Sequence, residues 1–172
     1  MSASNGPDVF VQTVMVSKLI SGGQTGVDRA TLDVALELGI PCGGWCPRGR
    51  RAEDGVIPDK YPLKPTPAAD YAQRTARNVR DADATLIIAR GELSGGTALT
   101  AELARRYHKP YLVVEPTRPP ELDTVRDWLE RHHVKTLNCA GPRESGCPGI
   151  YHQAARFLRA LLRNTKSRLA GD

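Results

Sequence analysis

The sequence predicts an α/β domain: a single doubly wound parallel sheet of about five strands with helices on both faces. Three observations predict it. Apolar runs of strand length alternate with helix-period segments through residues 15–163. The run Ala84-Thr85-Leu86-Ile87-Ile88-Ala89 has no polar face, as a parallel strand covered on both sides requires. Two glycine-rich turns, at Gly22-Gly23-Gln24-Thr25-Gly26 and Gly95-Gly96-Thr97, each follow a strand and open a helix.

The elements follow in order. Residues 1–14 read as a flexible leader of a cytoplasmic protein, without the charged and apolar segments of a secretory signal. Residues 14–20 form a buried strand. Residues 26–38 form a helix with Val27, Ala30, Val34 and Leu38 on one face, and Leu32 and Leu36 on another. Two apolar faces imply two burials, one against the sheet and one against something else, a second subunit being one candidate. Gly39 and Pro41 stop this helix. Residues 40–46 read as a short strand. The long stretch 47–67, rich in proline, glycine and charge, has the length of a functional loop. A helix over 68–81, the strand 84–89, a helix opened by Ser94-Gly95-Gly96-Thr97 and a strand over 111–114 come next. Pro119-Pro120 starts a helix with Leu122, Val125 and Leu129 inward. Residues 134–138 read as the last strand. A final helix carries Ile150, Ala154, Leu158 and Leu161, and residues 164–172 are a polar tail.

Composition narrows the function. The 172 residues are 40% hydrophobic and 25% charged, which suits one globular domain. A net charge of +5, carried mostly by arginine, suits a solvated basic surface, an acidic small ligand or nucleic acid, in that order. Aromatic residues make up only 5%, which argues against a base-stacking nucleic-acid surface. No apolar run approaches the roughly 20 residues of a membrane span. Cys42, Cys46, Cys139 and Cys147 lack the paired spacing of a zinc site and read as free thiols.

The chemistry concentrates on the two turns. Glycine lets backbone N–H groups approach a ligand, and a helix N-terminus offers unpaired donors and the positive dipole end. The first turn lacks the lysine of a Walker loop and the third glycine of a dinucleotide fingerprint. Asp28 suits the helix start. Arg29 is unfavourable there unless it meets an anion or a carboxylate, so it is a candidate ligand contact. Glu102 lies two turns into the second helix. Asn78, Arg80 and Asp81 end the helix before the central strand, at the sheet edge opposite the turns, which favours a structural role. Asp54-Gly55 is a turn that joins the site only if the long loop folds over the cleft.

Ser21-Gly22-Gly23-Gln24-Thr25-Gly26-Val27-Asp28-Arg29 resembles the opening motif of the bacterial putative molybdenum carrier family, a circularly permuted branch of the SLOG superfamily of Rossmann-like proteins. The resemblance continues through Gly43-Gly44-Trp45-Cys46-Pro47, Ala52-Glu53-Asp54-Gly55, Asn78-Val79-Arg80-Asp81, Gly95-Gly96-Thr97 and Gly141-Pro142-Arg143, over residues 18–162. It implies a Rossmann-like pocket for a nucleotide or another phosphorylated ligand, such as the molybdenum cofactor or molybdate, in a homo-oligomer. It also implies kinship with the Lonely guy phosphoribohydrolases, whose two-glycine loop leads to a catalytic glutamate. Glu102 stands at the matching distance here, while Ala98 and Leu99 replace a glycine and a threonine of those enzymes.

Two functions are therefore expected. In the first, the amides of Gly22, Gly23, Gln24, Thr25 and Gly26 and of Gly95, Gly96 and Thr97 form two jaws around a phosphorylated small molecule. Asp28 lies in the same site, and Arg29 with Arg48 or Arg143 adds charge-assisted contacts. Any metal comes with the ligand, so no protein metal site is named. In the alternative, Glu102 cleaves the N-glycosidic bond of a nucleoside monophosphate with help from Asp28.

Overall fold

A computed structural model describes residues 16–163; the expected leader and tail lie outside the described residues. The strands and helices, in order, are β1 (Lys18–Ile20), α1 (Val27–Leu38), β2 (Cys42–Gly43), β3 (Trp45–Cys46), β4 (Arg51–Ala52), β5 (Gly55–Val56), β6 (Lys64–Pro65), α2 (Tyr71–Asp81), β7 (Ala84–Ile88), α3 (Gly95–Arg106), β8 (Tyr111–Val114), α4 (Leu122–Arg131), β9 (Thr136–Ala140) and α5 (Ile150–Arg163). A single 3-10 turn, Glu144–Gly146, precedes α5.

Five strands form one parallel sheet in the order β2-β1-β9-β7-β8. Every residue of β7 is buried, and its side chains alternate between faces. Leu86 and Ile88 join Leu19, Val27, Val34, Leu137, Val125, Leu129 and Leu158 in the core beneath α1, α4 and α5. Ile87 packs with Ala101 of α3 on the other face, where Val79 of α2 also meets Leu103 and Ala104. The sheet is thus covered on both sides, as the sequence predicts.

Local chemistry explains most boundaries. Gly39 ends α1 in the left-handed region, φ 66°, with its N–H bonded to the carbonyls of Ala35 and Leu36. Asp70 caps α2 by accepting from the Gln73 N–H at 2.9 Å. The expected strand 40–46 is broken at Gly44, φ 132°, so that β2 stays on β1 while β3 leaves to pair with β6. The last strand begins later than the sequence suggests. The Val134 N–H still closes on Leu129 O of α4, and the Asp83 carboxylate holds the N–H groups of Lys135 and Thr136.

Of the second apolar face of α1, Leu32 is covered by the chain itself. Leu32 packs against Cys46, Ile57, Tyr61 and Leu63, so the chain's own 47–67 segment lies on it. Leu36 remains 45% exposed. That segment is built, with a β4–β5 hairpin and the β3–β6 pair. Arg50 fixes it by donating to the carbonyls of Ile57, Pro58, Tyr61 and Leu63. Asp33 ties it to α5 by accepting from Tyr61 Oη at 2.6 Å and Tyr151 Oη at 2.5 Å. Among the described residues, no helix is long and apolar enough to cross a membrane.

Candidate functional site

The sheet order decides where the site lies. The chain winds outward from β1 to β2, crosses to β7 and β8, and returns with β9 between β1 and β7. The two glycine turns therefore do not follow neighbouring strands, and the loop after β9 comes between them. Beyond the carboxyl ends of β1, β9 and β7 lies a cavity of about 390 Å³. That is the size and place expected for a ligand site at a topological switch point.

Each wall comes from a different element. The loop after β7 and the start of α3 contribute Arg90, Glu92, Gly95, Gly96 and Thr97. The loop after β9 contributes Gly141, Pro142 and Arg143, and Asn138 and Ala140 come from β9 itself. The first turn contributes Gly22, Gln24 and Asp28. Helix α2 contributes Tyr71, Arg74, Thr75 and Asn78, one stripe at i, i+3, i+4 and i+7.

The α3 end of the cavity is open. Gly95 and Gly96 are exposed, and a Cβ on either would meet nothing within 4 Å. Their N–H groups donate to no group among the described residues, and neither does the Thr97 hydroxyl. Thr97 itself is buried.

The first turn is closed upon itself. The Gly23 N–H donates to Ser21 Oγ at 3.3 Å, the Gln24 N–H to Asp28 Oδ2 at 3.3 Å, and the Thr25 N–H to Gln24 Oε1 at 3.1 Å. The β4–β5 turn lies over it. Glu53 accepts from the Thr25 and Ser145 hydroxyls and from the Ser145 N–H, and its own N–H donates to Gln24 Oε1 at 2.9 Å. Burial alone would raise the Glu53 carboxyl, but these hydrogen bonds win and hold it below its ordinary value. Arg29 donates to both oxygens of Asp54, at 3.0 and 3.1 Å, and to Gly23 O. The hydrogen bonds from Arg29 hold the Asp54 carboxyl down. The carboxylate that Arg29 needs at a helix start is thus Asp54.

Beneath the turn lies a buried ion pair. Arg74 Nη1 donates to Gly22 O at 2.8 Å and to Asp28 Oδ2 at 3.3 Å. Asp28 is 7% exposed. Burial pushes its carboxyl above the ordinary 3.8, against the pull of Arg74, the Gln24 N–H and Arg29. A Cβ at Gly22 would run into the Arg74 guanidinium and displace it from its ion pair. Tyr71 lies 5.3 Å from the Arg74 guanidinium and 5.4 Å from that of Arg143.

The structure thus separates the expected site residues. Gly22, Gln24, Asp28, Gly95, Gly96, Thr97 and Arg143 line the cavity. Gly23, Thr25, Gly26 and Arg29 form the packed framework behind it: Gly23 abuts Ile57 and Leu63, and Gly26 abuts the Pro142 carbonyl. Arg48 is exposed on the long segment, away from the cavity lining. Glu102 also fails to reach the lining. At about 100° per residue it stands about 140° round α3 from Thr97. Its side chain is 52% exposed and accepts from Arg106 at 2.7 Å. Asn78, expected at the opposite sheet edge, instead lines the cavity a turn before the helix end, and it also pairs with the Trp45 N–H and carbonyl at 2.7 and 3.0 Å. Asp81 serves structure, accepting from Trp45 Nε1 at 2.8 Å.

Sequence reasoning did not single out Arg74, Tyr71, Asn138 or Arg90. The signal for the first two was the polar stripe 71, 74, 75, 78 inside an amphipathic helix; for Asn138 it was a carboxamide in an apolar strand. Among the described residues, no group of three or more His, Cys, Asp or Glu side chains is placed to hold a metal ion.

Residues 19–162 match the profile of the circularly permutated YpsA SLOG family. No curated protein matches the chain. A crystal structure described as a putative molybdenum carrier protein from Syntrophus aciditrophicus SB is similar, with 46% identity over 86% of this chain and 95% of that chain, and a TM-score of 0.82. The chain belongs to the circularly permutated YpsA SLOG family.

Proposed function

We propose that this member of the circularly permutated YpsA SLOG family binds a phosphorylated, nucleotide-like or molybdopterin-type ligand in the switch-point cavity. The observation that carries the reading is the bare start of α3. Among the described residues, the Gly95 and Gly96 amides have no acceptor, a Cβ at either position would meet nothing within 4 Å, and the Thr97 hydroxyl is unengaged beside them. A phosphate there meets backbone donors and the positive end of a helix of 12 residues. Arg143 on the adjoining loop supplies a cation across the cavity.

The molybdenum part of the reading comes from the description of the similar crystal structure. A molybdenum centre would enter as part of the ligand, as cargo. N-glycosidic cleavage through Glu102 is not carried forward, because that carboxylate lies on the outer face of α3, paired with Arg106.

The test is calorimetric titration with AMP, GMP and the matching unphosphorylated nucleosides. A nucleotide should bind at least about tenfold more tightly than its nucleoside, since charge-assisted hydrogen bonds contribute about 1.5–3 kcal/mol each. Gly96→Asp, which places a carboxylate in open space, should remove that difference and leave the fold intact. Equal affinity for nucleotide and nucleoside in the wild-type protein would refute the phosphate seat.

A further inference from the structure

The two glycine turns are not equivalent. At the first, three successive amides are bonded within the turn, and the Asp28 carboxylate faces the cavity beside them. A phosphate would meet few donors and a like charge there. What the first turn holds instead is a pair of side-chain atoms of opposite hydrogen-bonding sense, neither with a partner among the described residues.

The acceptor is Asp28 Oδ1. Among the described residues, the two donors that reach the Asp28 carboxylate, the Gln24 N–H and Arg74 Nη1, both bind Oδ2. Oδ1 accepts nothing from the described residues. The donor is Gln24 Nε2. Gln24 is 5% exposed and its Nε2 is buried without a partner. The orientation of this carboxamide is set by chemistry: Oε1 receives two backbone N–H groups, from Thr25 and Glu53, so only the oxygen can stand on that side. The NH2 must therefore face away from them. Both residues line the cavity.

We propose that this floor reads the lactam edge of a heterocycle, an N–H beside a C=O: Asp28 Oδ1 accepts the ring N–H, and Gln24 Nε2 donates to the carbonyl. Arg74, whose Nε and Nη2 bond to no other described residue, stands beside them as a second donor. The edge is shared by 6-oxopurine nucleotides and by pterins. Adenine presents the reverse pattern, a bare ring nitrogen beside an amino group, which would set lone pair against carboxylate and N–H against N–H. The inference rests on the phosphate seat at α3, which leaves the heterocycle for the opposite wall. The β4–β5 turn then has a positioning role, because Glu53 N–H helps to orient Gln24.

The test compares the Kd values of AMP, IMP, GMP and neopterin monophosphate for the wild-type protein, Asp28→Asn and Gln24→Glu. The three lactam ligands should bind at least about tenfold more tightly than AMP, and the tighter of GMP and neopterin monophosphate identifies the natural source of the edge. In Asp28→Asn, the amide oxygen must face the Gln24 and Arg74 donors, which puts an NH2 where Oδ1 was. The preference should then shrink or reverse toward AMP. Gln24→Glu keeps the acceptor for Thr25 and Glu53 but replaces the donor, and should weaken lactam ligands by a similar factor. It decides the matter if Asp28→Asn does not fold. Equal Kd for AMP and GMP in the wild-type protein, or an unchanged ratio in the folded variants, would overturn the lactam reading and leave the phosphate seat standing. If none of the four ligands binds, both fail.

Discussion

Replacing Arg74 by methionine should expose how the floor of the cavity is held. The change removes the cation from a pair whose side chains are 11% and 10% exposed. It also leaves Gly22 O without its 2.8 Å donor. Breaking a buried pair from one side costs about 3–5 kcal/mol, because the remaining charge is uncompensated. At about 2–4 °C per kcal/mol for a chain of this size, Tm should fall by about 6–20 °C. The loss should depend on pH. Burial already raises the Asp28 carboxyl above 3.8, and Arg74 is the chief influence pulling it down. An acid with a raised folded-state pKa leaves stability intact below its unfolded value and costs stability as pH rises through the folded value. Without Arg74 that value climbs further, so the Arg74→Met deficit should be larger at pH 7 than at pH 4.5. Differential scanning calorimetry of the wild-type protein, Arg74→Met, Asp28→Asn and the double variant measures this as a cycle. A coupling energy below about 0.5 kcal/mol, or a deficit independent of pH, would show that the pair does not hold the floor.

Two further outcomes follow from the same geometry. Burial, and then the Asp33 carboxylate, push the Tyr151 hydroxyl up to about 12, and Tyr61 is shifted in the same direction. The stability these contacts contribute should be intact below about pH 10 and lost as pH rises toward 12. Tyr151→Phe should cost about 1 kcal/mol at pH 8 and remove a late phase from the ultraviolet titration of the tyrosines. Burial likewise pushes the Cys139 thiol up to about 12. Cys139→Ser should therefore leave the number of thiols reacting with an aromatic disulfide reagent unchanged in the native protein. In denaturant it should lower that number by one from the four of the sequence.

Much of the fold was legible because it is written in neighbouring residues. The unbroken apolar run of β7, Gly39 behind α1 and the glycine turn before α3 act over a few positions, and the chain adopts what they specify. The family was legible in the same way, from short motifs in order. The candidate site was legible only in outline. Gly95, Gly96 and Thr97 stand at the cavity because a strand-to-helix turn must lie at the carboxyl edge of a parallel sheet. Thr25 and Arg29 carry the same local signal yet face Glu53 and Asp54, because a hairpin about 25 residues away in sequence folds back over them. No local pattern announces that return.

By itself, then, the sequence determined the alternation of strands and helices, the two glycine turns and the family, all properties of short-range periodicity and steric freedom. Only the tertiary structure decided that β9 lies between β1 and β7, that Arg74 of α2 pairs with Asp28, and that Glu102 faces outward. Strand order and the pairing of buried charges depend on which distant surfaces exclude water together. That balance is struck across the whole chain, among residues whose separation in sequence carries no sign of it.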